Sequence, residues 1–316
     1  MAFCFSDIRN GRKADIARAL SRIEQKDGTV AHAALIDEAA AAARAQIIGL
    51  TGPPGVGKST LTNALVKTWR KQDISVAVIA VDPSSRVTGG ALLGDRTRIS
   101  TDPDDVGVFI RSFAARDRLG GLSEHALAAI RFLSAFYDRV LVESVGIGQS
   151  ESDLAFAVDT MILCVQPGSG DSLQFMKAGI MELPDIVLVT KSDMGRDARR
   201  ALADVEGALS LSNPATGDGA RALMVCATSG DGLDELLAAC DAHWDFLAQG
   251  SRLAEKRAAQ DDYWFNDALR RLFGARGLSV LGEGADLKTG GGLYQSIAGA
   301  LQSVDVRVNH VDAPRR

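Results

Sequence analysis

The chain has 316 residues, 46% of them hydrophobic, and a formal net charge of −5 at pH 7. This suffices for one large α/β domain with appendages, and the acidic balance lends no electrostatic support to a nucleic-acid partner. Cys4, Cys164, Cys226 and Cys240 form no CxxC pair, the four histidines do not cluster, and no apolar run approaches the roughly 20 residues of a membrane span; disulfides and structural zinc are disfavoured, and a soluble cytoplasmic protein without a signal peptide is expected.

Residues 1–45 read as a helical extension. Ile16, Ala19, Leu20 and Ile23 fall on one face of the stretch 14–24, and 37–44 is alanine-rich. From residue 46 the pattern changes to short β-branched runs alternating with helical stretches. The runs are 46–51, 75–81, 106–111, 139–143, 160–165, 186–190 and 222–227. Most are apolar on both faces, which predicts a mainly parallel sheet covered by helices on both sides, with ligand at the carboxyl ends of the strands. Residues 46–248 are read as this domain. Past residue 233 no further strand–helix alternation follows: 233–248 and 252–273 look helical, 274–295 is glycine-rich, and 249–316 is read as a C-terminal helical arm with a flexible extension.

Between the first run and the helix that begins near Thr60 stands Gly52-Pro53-Pro54-Gly55-Val56-Gly57-Lys58-Ser59, a full match to G-x-x-x-x-G-K-[ST]. In a strand–loop–helix setting this is a phosphate loop. The glycines let backbone N–H groups converge on phosphate oxygens. Lys58 is placed to reach the β- and γ-phosphates, and the Ser59 hydroxyl to bind Mg²⁺.

Further segments point to the base and the metal. Thr190-Lys191-Ser192-Asp193 follows an apolar run and resembles the N-K-x-D guanine motif of GTPases, with Thr190 in place of the usual Asn. The Asp193 carboxylate can accept from guanine N1–H and the 2-amino group, a donor pair adenine lacks. Cys226-Ala227-Thr228, at another strand end, resembles the Ser-Ala-x segment whose backbone N–H contacts guanine O6. Glu143 closes an apolar strand and is a candidate Mg²⁺ holder, with the Gly146 N–H a γ-phosphate sensor. Asp82 and Asp95 are candidates for metal coordination and for positioning the attacking water, and Arg96 and Arg98 for neutralising transition-state charge. The loops 146–151 and 168–174, with Gln174 and Lys177, are candidate elements that order with the γ-phosphate.

Together, GPPGVGKST, VDPSS with GGALLGDRTR, VESVGIGQSE, GDSLQFMKAGIMELPD and TKSD resemble the MeaB/ArgK group of P-loop GTPases over roughly residues 10–245. The resemblance implies slow GTP hydrolysis with Mg²⁺, accelerated by an adenosylcobalamin-dependent acyl-CoA mutase whose cofactor loading and repair it gates. The client it implies is methylmalonyl-CoA mutase or a relative acting on isobutyryl-CoA or 2-hydroxyisobutyryl-CoA. The resemblance also maps three switches onto 82–98, 143–151 and 168–179, and implies a homodimer through the C-terminal arm. The competing classes are a nickel-type metal-delivery GTPase, which would need a CxxC pair or a histidine-rich tract, and a small-molecule kinase, which has no use for TKSD.

Overall fold

The apolar runs along residues 46–227 lie side by side in the computed structural model, which describes residues 5–8, 12–25, 30–83, 102, 104–115, 122–144, 150–168, 180–212, 219–281 and 291–301. The strands are β1 (Gln46–Thr51), β2 (Val76–Pro83), β3 (Val108–Ala115), β4 (Arg139–Glu143), β5 (Thr160–Val165), β6 (Ile186–Val189) and β7 (Arg221–Met224). They form one sheet in the order β3-β2-β4-β1-β5-β6-β7, parallel at every pairing. The expected α/β class is therefore the observed one. β3 starts two residues later than its apolar run suggests. Asp105 accepts from Gly107 N at 2.8 Å, which makes a turn there and leaves Val106 82% exposed.

Side chains alternate across the sheet, as a period of two requires. Ile47, Ala77, Ile79, Val140 and Val142 face one core cluster. It is closed by α2 (Lys13–Gln25), α3 (Val30–Ala41), α5 (Glu124–Leu133), α6 (Ser150–Ala155) and α9 (Arg252–Leu281), with α1 (Phe5–Ile8) at its edge. Ile48, Leu50, Val76, Val78 and Leu141 face the other side, covered by α4 (Lys58–Lys71) and α8 (Leu233–Ala248). α7 (Arg196–Ser212) covers β5 and β6 through Ala198, Ala201 and Val205. At Gly49 an added Cβ would sit 2.9 Å from Leu154, so a small residue lets α6 close on β1.

The stretch read as an arm joins this core. Trp264, Phe265 and Leu269 of α9 are buried in the first cluster. Arg257 grips the fully buried Asp159 through two bonds of 3.0 and 2.8 Å. Gly274, at φ 64°, breaks the helical path of α9. A last helix, α10 (293–301), is held by Asp37 of α3, whose carboxylate accepts from Tyr294 N and Gln295 N at 3.1 and 2.8 Å. Among the described residues no helix is long and apolar enough to cross a membrane.

Candidate functional site

β1 is flanked by β4 on one side and β5 on the other, so the strand order reverses around it. A ligand crevice opens at such a point, outside the carboxyl ends of the strands. Gly52–Gly57 leave β1 there and enter α4 at Lys58. Gly52, Gly55 and Gly57 have φ of 139°, 79° and 103°, values that side chains rarely adopt. The reason for glycine differs from the expected one at Gly52. A Cβ there would lie 2.3 Å from the Cys164 carbonyl, so β5 itself enforces that glycine. Around Gly55 and Gly57 the space is open, and backbone conformation alone selects glycine. Val56 is buried and pins the loop to the core, whereas Pro54 and Thr60 are exposed and Pro53 half-buried.

Lys58 folds back under the loop, donating to Gly52 O at 2.6 Å and Pro53 O at 3.2 Å. It is 9% exposed, so its ammonium stands at the helix N-terminus, where positive potential and loop N–H groups favour an anion. Beside it, Ser59 Oγ donates to Glu143 Oε1 at 2.7 Å and Thr62 Oγ1 donates to Glu143 Oε2 at 2.8 Å. A carboxylate and a hydroxyl side by side are hard oxygen donors of the kind Mg²⁺ takes, so this pair fits the ion that a phosphate loop implies.

The second wall comes from the ends of β6 and β7. Thr190 Oγ1 donates to Val56 O at 2.7 Å and to Val165 O at 3.2 Å. The residue expected to contact nucleotide thus spends its proton on the phosphate loop and on β5. Lys191, held at φ 54°, donates to Gly55 O and Gln166 Oε1, both at 2.9 Å. Asp193 is exposed, so in the guanine-reading role expected of it the desolvation that disfavours adenine would have to come from the base itself. Cys226 Sγ donates to Asp193 Oδ1 at 3.4 Å and lies 3.1 Å from Thr228 Oγ1. Hydrogen bonds from Ser229 and then Thr228 hold the Cys226 thiol below its ordinary pKa, whereas burial pushes Cys164 up to about 12. Ala227 lies between, half-buried, in the turn toward α8.

The structure therefore brings Gly52–Thr60, Glu143, Thr190–Asp193 and Cys226–Thr228 to one edge of the sheet. Asp82 lies in β2, paired with Ala114, and its side chain is outside the described residues. Asp95, Arg96, Arg98, Gly146, Gln174 and Lys177 also lie outside them. Two contributors escaped the sequence reading. Gln166 carried a weak signal as the first polar residue after β5; Thr62 carried one as a hydroxyl one turn past Ser59 on the same helix face.

Such a sheet, with a phosphate loop at the reversal point and a TKxD turn beside it, defines a P-loop nucleoside-triphosphatase. The family model described as methylmalonyl Co-A mutase-associated GTPase MeaB matches residues 16–276. The chain belongs to that family and is a GTPase, and the family implies binding of GTP and GDP. A Pyrococcus horikoshii protein named as a GTPase is 40% identical over 254 residues, 79% of this chain and 80% of its own. GTPase ArgK of Escherichia coli is 35% identical over 280 residues, 84% of each chain. The mouse methylmalonic aciduria type A homolog, mitochondrial, is 38% identical over 69% of this chain and 53% of its own length. Among solved structures, a LAO/AO transport system kinase superposes with a TM-score of 0.68 at 24% identity over 96% of each chain, a likeness of fold.

Proposed function

We propose that this GTPase is a Mg²⁺-dependent switch that binds an adenosylcobalamin-dependent acyl-CoA mutase and gates the loading, protection or reactivation of its cofactor. The client is methylmalonyl-CoA mutase or a relative acting on isobutyryl-CoA or 2-hydroxyisobutyryl-CoA. The observation that carries the nucleotide-site part of this reading is the double fastening of the TKSD turn to the phosphate loop, Thr190 to Val56 O and Lys191 to Gly55 O. Base recognition and phosphate binding then share one rigid frame. The mutase reading draws its support from the family description and from the name of the mouse relative.

In this reading the loop 52–60, through the N–H groups of its residues other than Pro53 and Pro54, and the Lys58 ammonium hold the phosphates, and Asp193 reads guanine while the Cys226–Thr228 backbone faces O6. Ser59 and Glu143 hold Mg²⁺, with Asp82 and Asp95 as further candidates. When bound, the ion neutralises charge on the β- and γ-phosphates. Water attacks the γ-phosphate in line, and Arg98 offsets the negative charge that develops. Gly146 reports the γ-phosphate to the segments 82–98, 143–151 and 168–179, which the partner orders. A homodimer through residues 249–316 belongs to the same proposal, supported by the family resemblance and by Leu272, 44% exposed on α9.

The test is steady-state GTP hydrolysis by the full chain with and without purified candidate mutases. A rise in turnover of at least tenfold with one of them is expected. If none of them changes the rate, the mutase reading fails and the GTPase assignment stands.

A further inference from the structure

The Ser59–Glu143 pair has a third member that the phosphate-loop pattern does not specify. Glu143 closes β4 between β1 and β2, its backbone registered with Leu50 on one side and Ala80 on the other. Its carboxylate, 5% exposed, points onto α4, where Ser59 and Thr62 sit one turn apart. Among its partners are two hydroxyls of that helix: Ser59 donates to Oε1 at 2.7 Å and Thr62 to Oε2 at 2.8 Å. Thr62 is fully buried, among the residues α4 turns toward the sheet.

A buried carboxylate depends on the donors that face it, and two donors from one helix face fix both its position and its rotation. With Oε2 fastened by Thr62, Oε1 stays toward Ser59. The Ser59 proton is then committed to Glu143, and the lone pairs of its oxygen are left to a cation. Removing the Thr62 hydroxyl while keeping its volume takes from Oε2 its donor on α4, and the fixed relation between the two metal-facing oxygens is loosened. A loosened pair of this kind weakens a metal site without touching the metal.

We infer that Thr62 is a positioning residue for magnesium, setting through Glu143 the Mg²⁺ concentration at which the protein retains nucleotide. The inference rests on the reading of Ser59 and Glu143 as the metal pair. It is tested with the full-length protein and fluorescent GDP, whose release rate is followed across a titration of free Mg²⁺. Thr62→Val should raise the Mg²⁺ midpoint roughly tenfold, the effect of losing one hydrogen bond to a charged group. Thr62→Ser should keep the wild-type midpoint, and GDP affinity in EDTA should be the same in all three proteins. A wild-type midpoint in Thr62→Val overturns the inference. So does an equal shift in Thr62→Ser, or a matching loss of GDP affinity in EDTA, since either assigns the effect to packing. Should Thr62→Val fail to fold, Thr62→Cys takes its place: its weaker thiol donor should give an intermediate midpoint, and an unshifted one is again contrary. If Mg²⁺ has no effect on release from the wild type, the metal reading itself falls, a result distinct from an unshifted variant.

Discussion

Asp193 stands exposed at the end of a turn whose other members are occupied with the protein itself. Thr190 bonds to the phosphate loop and Lys191 bridges to Gly55 and Gln166. In the proposed reading base choice falls on this one carboxylate, which accepts from the Cys226 thiol. Asp193→Asn should lower GDP affinity roughly a hundredfold, because the amide presents a donor to guanine where an acceptor is needed, and should improve binding of xanthine nucleotides. Competition titration with GDP and XDP measures both; unchanged guanine preference would assign base reading to another group. At this scale the sequence was legible where a residue type is nearly unique to its chemistry, as with Lys58 after a glycine loop. It was less legible where a side chain turns inward. Thr190 reads as a nucleotide contact in the sequence, yet its single proton bonds to carbonyls of the protein. The Thr62–Glu143 bond joins residues 81 apart in the chain, and only the packing of α4 on β4 makes it.

Elements are joined by a few charged clasps. Arg257 of α9 reaches across the sheet edge to Asp159, which also accepts from Ile47 N at 2.9 Å. Asp159 is fully buried, so Arg257→Ala would strand a carboxylate in the core and should destabilise the protein by about 3 kcal/mol in urea unfolding. Arg70, near the end of α4, forks onto Asp105 at 2.9 and 3.0 Å and donates to Ile74 O at 2.9 Å. The hydrogen bond from Arg70 is the main cause that holds the Asp105 carboxyl below its ordinary value of 3.8. Because the folded pKa is depressed, the stabilisation is present above about pH 4 and lost as pH falls through the folded value. Asp105→Asn should cost about 1 kcal/mol at pH 7, with the gap to wild type closing in acid. An equal deficit at pH 7 and pH 3 would mean the charge is irrelevant. Strand positions were readable because β-branched runs are short and bounded by turns. α10 was not: its apolar residues Leu293, Ile297 and Ala300 repeat at helical spacing, but the glycines before them suggest a loop, and the Asp37 carboxylate that caps the helix comes from α3.

For the whole molecule, the parallel sheet delivers the phosphate loop, Glu143 and the TKSD turn to one edge, while α9 and α10 close the helical layer behind β1 and β4. A switch of the kind proposed would act only through a difference in partner affinity between its nucleotide states. The most direct measurement is the dissociation constant of the full chain for its candidate mutase, taken once with GDP and once with a non-hydrolysable GTP analogue, both with Mg²⁺. The account predicts binding whose affinity differs at least tenfold between the two, about 1.4 kcal/mol of coupling. Equal affinity in both states, or no binding in either, would contradict it.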